Sequence, residues 1–238
     1  MLSKLKDRLA RYRTERHLSP VSREVRDRRL TYLSPHRLRT LERCAAQVDE
    51  RGVAGDFIEA GVALGGSAVV LGAAMGDGRR LHAYDVFATI PPPGEHDPPE
   101  AHERYATISA GRSVGIGGDE YYGYRHDLRD HVARTFAAFG MPVGDRIRLH
   151  EGLFEDTLHP EAPVALAHVD SDWHDPVATC LERIAPHLSP GGFIVPDDYD
   201  DYGGCRDATD AFLARRPGFA LARLGSSVAV VHGDGTAA

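Results

Sequence analysis

The chain is short of the residues on which several kinds of site depend. Its three cysteines, Cys44, Cys180 and Cys205, have no Cys-x-x-Cys spacing, which excludes a zinc knuckle and a disulfide framework and favours a reducing compartment. Lysine is confined to Lys4 and Lys6, so a general base elsewhere in the chain has to be another residue type. The sequence has no run of about 18 apolar residues that would cross a membrane, and its first residues lack the apolar segment of a signal peptide. We therefore expect a cytoplasmic protein with no membrane partner.

The charge of the chain is acidic and uneven. The formal net charge is -7, with 28 Lys and Arg against 35 Asp and Glu, yet residues 1–33 hold ten Lys and Arg against four acids. An acidic body argues against nucleic acid as a partner, because its phosphates need a basic footprint. We interpret the basic stretch as solvated helix faces rather than as an RNA or membrane contact. Extra amino-terminal helices often make subunit contacts, so we expect a homo-oligomer.

Apolar, strand-like segments alternate with helical patterns along most of the chain. This alternation is typical of an α/β fold with a doubly wound, mostly parallel sheet. Apolar residues at helical spacing in residues 2–12 and 34–52 predict two or three helices before the first strand. The last two strands, 220–225 and 228–233, are joined too tightly for a crossover helix, which predicts one antiparallel last strand. We expect a helical extension at 1–50 and a single structural unit at 51–238.

The connection from Ala88 to Arg125 is long and rich in proline and glycine. Structureless connections of this length are uncommon in compact domains and are usually lids or disordered segments. Its tyrosines at 121, 122 and 124 either wall a bound molecule or pack on their own domain. We predict that the connection is a lid over the acceptor.

A glycine-rich turn, EAGVALGGS from Glu59 to Ser67, links the first predicted strand to the next helix. Ligands of such sheets bind beyond the carboxyl ends of the strands, and glycines in this turn let a ligand approach the backbone at the helix amino terminus. Glu59 suits an ammonium group and Asp85, which ends the second strand, suits ribose hydroxyls. Together they favour S-adenosylmethionine over NAD. The predicted cofactor-binding residues are Glu59, Gly61, Gly65, Gly66, Ser67, Asp85 and Gly152.

Two further strands end in pairs of acids, Asp170 with Asp172 and Asp197 with Asp198. Because parallel strands carry their ends to one edge, we expect these carboxylates to lie together. Carboxylates with open positions suit a hard ion such as Mg²⁺, which lowers the pKa of a bound hydroxyl. The alternative is a solvated loop and a helix cap, since aspartate favours both places.

Five motifs together resemble the macrocin O-methyltransferase family of metal-dependent sugar methyltransferases from antibiotic biosynthesis. They are GDFIEAGVALGGSA, DRIRLHEGLFEDTL, HVDSDWHD, LSPGGFIVPDDY and CRDATDAF, within residues 34–213. The resemblance implies a class I methyltransferase fold, S-adenosylmethionine, Mg²⁺ and a sugar hydroxyl as acceptor. By position it places the metal ligands at Asp170, Asp197 and Asp198 and the base at Asp172. The chain departs from the family pattern at residues 172–177, which read DWHDPV, and in the long connection, and both departures bear on the acceptor.

The identity of the base is open between two residues. Catechol-type methyltransferases, which resemble this arrangement, use a lysine, and none is available here. Asp172 is the candidate and His174 the alternative, because the ordinary pKa of histidine suits proton transfer near neutrality. His168, inside a strand, is interpreted as a core residue.

We predict an S-adenosylmethionine- and Mg²⁺-dependent O-methyltransferase that acts on a sugar of a glycosylated natural product or another small polyhydroxylated molecule. Two alternatives remain at this point. One is a glycosyltransferase that uses the Asp-Ser-Asp motif to hold a metal and a nucleotide sugar. The other is a protein that binds S-adenosylmethionine without catalysis.

Overall fold

The computed structural model describes residues 17–233. The predicted helix at residues 2–12 lies outside the described residues. Eight α-helices are described, and all but the short sixth have at least eight residues: α1 (Pro20–Asp27), α2 (Pro35–Glu50), α3 (Gly66–Ala74), α4 (Pro99–Ser109), α5 (Leu128–Ala138), α6 (Phe154–Thr157), α7 (His174–Ile184) and α8 (Gly203–Arg215).

Seven strands form one sheet: β1 (Asp56–Ala60), β2 (Leu81–Asp85), β3 (Ile147–Glu151), β4 (Val164–Val169), β5 (Leu188–Pro196), β6 (Phe219–Leu224) and β7 (Ser227–His232). Their order is β3-β2-β1-β4-β5-β7-β6. The pairs among β1 to β5 are parallel, and β7 is antiparallel to both of its neighbours, β5 and β6. The predicted doubly wound sheet and its antiparallel last strand are confirmed, and the antiparallel strand lies between two others.

Helices cover both faces of this sheet. Successive residues of a strand point to opposite faces, so Phe57 of β1 lies in a core with α1, α2, α3 and α5, whereas Ile58 lies in a core with α7 and α8. All six residues of β4 are buried, as expected for a central parallel strand. The order of the strands reverses between β1 and β4, so their carboxyl ends form the crevice in which such sheets bind ligands.

The start of α2 is set by a Ser-Pro pair. The Ser34 side chain accepts a hydrogen bond from the Arg37 backbone N–H, and Pro35 takes the first helical position, where its missing N–H costs nothing. Leu38 and Leu41 of α2 are buried in the same core as Phe57. The helix therefore lies against the sheet with Arg37 in its first turn. The predicted boundary between a helical extension at 1–50 and a structural unit at 51–238 stays a prediction.

The long connection between β2 and α5 contains more regular structure than the sequence predicted. It includes α4 and two short 3-10 turns, Ile116–Gly118 and Tyr122–Tyr124. Tyr124 links three parts of this segment, because its hydroxyl donates to the Ile108 carbonyl (2.7 Å) and accepts from the Ser113 N–H (3.0 Å). The sequence analysis placed no helix in this connection, whereas α4 starts at Pro99, the position of a helix where proline is favoured. Its role as a lid stays a prediction.

Among residues 17–233, no helix is both long and apolar enough to pass through a lipid bilayer.

Candidate active site

The glycine turn after β1 is shaped by close backbone packing. Gly61 has a φ of +92°, and a Cβ at this position would collide with the carbonyl oxygen of Asp170. Gly66 packs just as tightly, since its N–H donates to the Leu30 carbonyl (3.0 Å) and a Cβ would overlap that carbonyl. Gly65 is the left-handed N-cap of α3. Glycine is therefore needed here for the approach of other backbone segments, whatever the turn binds.

Asp85, at the end of β2, holds the glycine turn in place. One carboxylate oxygen accepts from the Val62 N–H (2.7 Å) and the Ala63 N–H (3.1 Å), and the other accepts from the Phe87 N–H (2.7 Å). Burial raises the pKa of Asp85, while these backbone donors oppose the shift. The side chain thus fixes the loop that follows β1 and still faces a cavity at the sheet edge.

Three carboxylates converge where β4 and β5 end. Single oxygens of Asp170, Asp172 and Asp198 lie within 4.8 Å of one another. Burial raises the pKa of all three, and repulsion from neighbouring aspartates adds to it, while Arg104 opposes the shift at Asp172 and Arg37 opposes it at Asp198. Within the described residues, the buried Oδ2 of Asp198 has no hydrogen-bond partner. This acid group brings several carboxylate oxygens together and has a ligand atom without a partner, so its chemistry fits a hard divalent cation.

The Asp172 backbone is also unusual, with a φ of +57°. Aspartate tolerates this left-handed conformation better than most residues, but strained backbone of this kind is common at functional sites. The left-handed turn comes three residues after the end of β4. It directs the chain into α7.

Asp197 belongs to the same edge but has cationic partners of its own. Its Oδ2 is 2.8 Å from Nη1 of Arg37, and its Oδ1 is 3.4 Å from Nε2 of His168. Nη2 of Arg37 also lies 2.7 Å from Asp201, and its Nη1 is 3.7 Å from Asp198. Arg37 therefore brings a positive charge from α2 to the acid group.

His168 connects the two predicted halves of the site. It is fully buried in β4, with Nδ1 3.0 Å from Oε2 of Glu59 and Nε2 facing Asp197. Burial alone would lower the pKa of His168, but Glu59 and Asp197 raise it well above the ordinary value. The other oxygen of Glu59 accepts a short hydrogen bond from Ser67. His168 is thus a core residue, as interpreted, and also the bridge between Glu59 and Asp197.

Two cavities open at this edge of the sheet. The loop-side cavity, about 250 Å³, lies between parts of residues 86–94 and residues 152–155. The aromatic cavity, about 300 Å³, is walled by rings and also by Arg37 and Arg104. The rings of the aromatic cavity are those of Tyr32, Tyr121, Tyr122, Trp173 and Tyr202. Residues that line both cavities are Gly61, Asp85, Tyr122, Asp170, Asp172 and Trp173, so the cavities meet at the acid group.

Some of the site residues predicted from the sequence line a cavity, and the others do not. The predicted residues that line at least one cavity are Gly61, Asp85, Gly152, Asp170, Asp172, Asp197 and Asp198. The predicted residues that line neither are Glu59, Gly65, Gly66, Ser67 and His174. Glu59 is completely buried, and its network with Ser67 and His168 supports the cavity walls from behind.

The two candidates for the base differ in position. Asp172 lines both cavities. The Nδ1 atom of His174, the first residue of α7, donates to Oδ1 of Asp175 (2.7 Å), and its ring lies tilted against that of His96, with centroids 4.6 Å apart. In the described structure His174 therefore faces the rim of the loop-side cavity rather than its interior.

Several cavity residues were missed by the sequence analysis. Arg37 and Tyr32 come from the segment before β1, Arg104 from α4 and Tyr202 from the segment before α8. Arg104 lies over the Tyr121 ring, with 5.7 Å between the guanidinium carbon and the ring centroid. Among the cavity residues that were not predicted, Trp173 alone could have been found from the sequence, because it lies inside the Asp-Ser-Asp-Trp-His-Asp motif.

Comparisons with known proteins agree with this geometry. Residues 9–217 match the model of the family described as Macrocin-O-methyltransferase (TylF). A relative from Streptomyces olivaceus, 8-demethyl-8-(2,3-dimethoxy-alpha-L-rhamnosyl)-tetracenomycin-C 4'-O-methyltransferase, is 32% identical over 192 residues, which cover 78% of this chain and 68% of that protein.

Solved structures show the same fold. The O-methyltransferase NovP is 24% identical, has a TM-score of 0.69, and is matched over 85% of this chain and 81% of its own. SAH-bound Podospora anserina methyltransferase PaMTH1 is 18% identical, has a TM-score of 0.60, and is matched over 97% of this chain and 96% of its own. At these identities the likeness establishes the fold alone.

The family match covers more than half of the chain, including β1 to β5 and both acid-bearing strand ends. It confirms the resemblance seen in the five motifs, and the alternatives of a glycosyltransferase and of a non-catalytic protein are dropped. The chain belongs to the macrocin O-methyltransferase family and is an S-adenosylmethionine-dependent O-methyltransferase.

Proposed function

We propose that the protein uses Mg²⁺ to transfer the methyl group of S-adenosylmethionine to a sugar hydroxyl of a glycosylated natural product. The observation that carries the proposal is the meeting of two cavities at one acid group, because a methyl donor and an acceptor need separate pockets and a common reaction point. Asp170 and Asp172 line both cavities. The loop-side cavity holds the cofactor and the aromatic cavity holds the acceptor.

The loop-side cavity has features that suit the cofactor. Gly61 and Gly152 line it, and Asp85 presents a carboxylate at the end of β2, where a ribose is held in related folds. Ile90, Leu153 and Phe154 provide apolar walls for a purine base. The acids at the inner end offer a favourable potential to a sulfonium cation.

The metal is assigned to the acid group. Asp170 and Asp198 are its ligands, and the partnerless Oδ2 of Asp198 supports this assignment. Asp197, the third ligand implied by the family resemblance, would exchange its contact with Arg37 for the ion. When bound, Mg²⁺ would lower the pKa of an acceptor hydroxyl and neutralise the carboxylates.

Asp172 acts as the general base. Methyl transfer is an in-line displacement, in which the hydroxyl oxygen forms a bond to the methyl carbon while the carbon–sulfur bond breaks and S-adenosylhomocysteine leaves. The hydroxyl proton passes to Asp172. Burial raises the pKa of this carboxyl, which brings it closer to the range in which a base is effective near neutral pH.

The aromatic cavity favours a sugar as the acceptor. Aromatic rings pack against the apolar faces of pyranose rings, and tyrosine hydroxyls can bond the sugar hydroxyls. Trp173 and Tyr202 meet edge to face, with centroids 5.8 Å apart, beside the acid group. The Streptomyces olivaceus relative carries a rhamnosyl group in the name of its substrate, which supports the same acceptor class here.

The test of the metal compares carboxamide variants of the acid group. With a rhamnosylated aromatic polyketide as acceptor, S-adenosylhomocysteine formation is measured against Mg²⁺ concentration in the wild type and in Asp170→Asn and Asp198→Asn. Both variants should require more than about tenfold higher Mg²⁺, because magnesium accepts few substitute ligands. The exposed Asp210→Asn is the matched control. Full activity in the presence of a chelator would refute the metal assignment, without affecting the membership of the family.

A further inference from the structure

A second group of metal-ligating side chains lies on the rim of the loop-side cavity. His96 comes from the long connection, and His174 and Asp175 come from the first turn of α7. The Oδ1 atom of Asp175 is 3.1 Å from Nδ1 of His96 and 2.7 Å from Nδ1 of His174. The three ligand atoms lie within 4.8 Å of one another.

The backbone that carries these side chains is fixed by a buried aspartate. One oxygen of Asp97 accepts from the His174 N–H (2.7 Å), and the other accepts from the Gly94 N–H (2.9 Å). The Trp173 indole N–H donates to the Pro91 carbonyl (3.1 Å) beside them. The connection and α7 are thus tied together on both sides of His96, so the ligands sit on supported backbone, as an effective metal site requires.

We propose that His96, His174 and Asp175 bind a transition-metal dication, with Zn²⁺ as the reference ion. Ligand atoms about 2.1 Å from a tetrahedral ion lie about 3.4 Å apart. The two observed contacts to Asp175, 3.1 Å and 2.7 Å, are both shorter than this, so an ion would have to move the side chains apart by less than about 1 Å. Two imidazoles and one carboxylate leave a fourth position for water.

This site differs from the acid group in the ions it prefers. Imidazole nitrogens suit zinc, cobalt and nickel, whereas carboxylate oxygens alone suit magnesium. The two sites are therefore separable by choice of metal. The proposal does not depend on the catalytic role of Mg²⁺, since no residue is shared between them.

Binding at this site would close the edge of the loop-side cavity. Gly94 and Asp175 both line the cavity, and a Cβ at Gly94 would lie 2.5 Å from Oδ2 of Asp175. An ion that joins His96 to α7 would hold the connection against the helix at this close approach. The proposed consequence is that a transition metal fixes one wall of the cofactor pocket.

The test uses Co²⁺ as a spectroscopic probe on the metal-stripped full-length protein in excess Mg²⁺. We expect visible d–d bands that saturate at one equivalent and are displaced by Zn²⁺. His96→Ala and Asp175→Ala should each weaken Co²⁺ binding by more than about 100-fold, a larger effect than the roughly 10–100-fold that outer-shell changes give. His102→Ala, an exposed histidine on the same connection, should leave the titration unchanged.

Asp170→Asn separates the two sites. It removes an acid-group ligand and should keep the Co²⁺ bands, whatever its effect on methyl transfer. Bands that survive in both His96→Ala and Asp175→Ala, or that disappear only in Asp170→Asn, would overturn the proposal. Circular dichroism and melting temperature of each variant exclude loss of the fold as the cause.

Discussion

Replacement of His168 tests the buried link between β1, β4 and β5. The imidazole lies between Glu59 and Asp197, with 3.0 Å to the first and 3.4 Å to the second. Both carboxylates favour the protonated, positively charged imidazole, which is the direction in which the pKa of His168 is shifted. In His168→Leu, Oε2 of Glu59 would lose its partner in a fully buried position, while Asp197 would keep Arg37.

The expected loss is large compared with the whole stability of a domain. Removal of one partner from a buried charge pair costs about 3–5 kcal/mol, against a total of about 5–15 kcal/mol. His168→Gln keeps a hydrogen-bond donor but loses the charge. Its free energy of unfolding should therefore lie between that of the wild type and that of His168→Leu. Urea unfolding followed by circular dichroism gives the three free energies of unfolding.

The pH dependence identifies the charge as the cause. Because the pKa of His168 is raised in the folded state, its contribution is fully present below the unfolded value of about 6.5. The contribution is lost as pH rises through the folded pKa, so the gap between the wild type and His168→Leu should narrow at alkaline pH. His150 is the matched control, since burial lowers its pKa and His150→Leu should gain relative stability as pH falls below about 6.5. A loss below about 1 kcal/mol in His168→Leu, or a gap that does not change with pH, would refute the reasoning.

Three further predictions concern catalysis, the cofactor and the long connection. Asp172→Asn should reduce turnover by roughly 10²–10⁴-fold at saturating Mg²⁺ with little change in S-adenosylhomocysteine affinity, and a larger fall in His174→Gln would make His174 the base instead. Asp85→Ala should weaken S-adenosylhomocysteine binding by about 1–3 kcal/mol in calorimetry, and unchanged affinity would contradict its assignment to the cofactor. Cofactor product and acceptor together should protect residues 88–125 from limited proteolysis, whereas equal cleavage with and without them would count against a lid.

The sequence was sufficient for the features that depend on local pattern and chain direction. Apolar runs that end in acids predicted the strands, and parallel strands bring their ends to one edge, so Asp170, Asp172 and Asp198 could be placed together before their distances were known. The tight connection between β6 and β7 predicted the antiparallel strand because no crossover helix fits in it. These inferences need only periodicity and connectivity.

The features that failed or were missed depend on packing between distant segments. Arg37 reaches Asp197 across 160 residues, and nothing in the sequence around α2 marks it as a site residue. Glu59 was expected to hold the ammonium group of the cofactor, a role that stays a prediction, but the structure buries it completely against Ser67 and His168. Its position in β1 could be predicted, whereas the partners on α3 and β4 that surround it could not.

Four aspartates and two basic side chains, Arg37 and His168, set the charge at the sheet edge. Asp170, Asp172, Asp197 and Asp198 crowd one small region, and burial raises the pKa of the three that form the acid group. Arg37 and His168 both contact Asp197, and Arg37 also lies 3.7 Å from Asp198 of the acid group. A group of buried carboxylates either takes up protons or binds a cation. The same argument links the fold to the proposed chemistry, because the buried carboxylates lie where the two cavities meet.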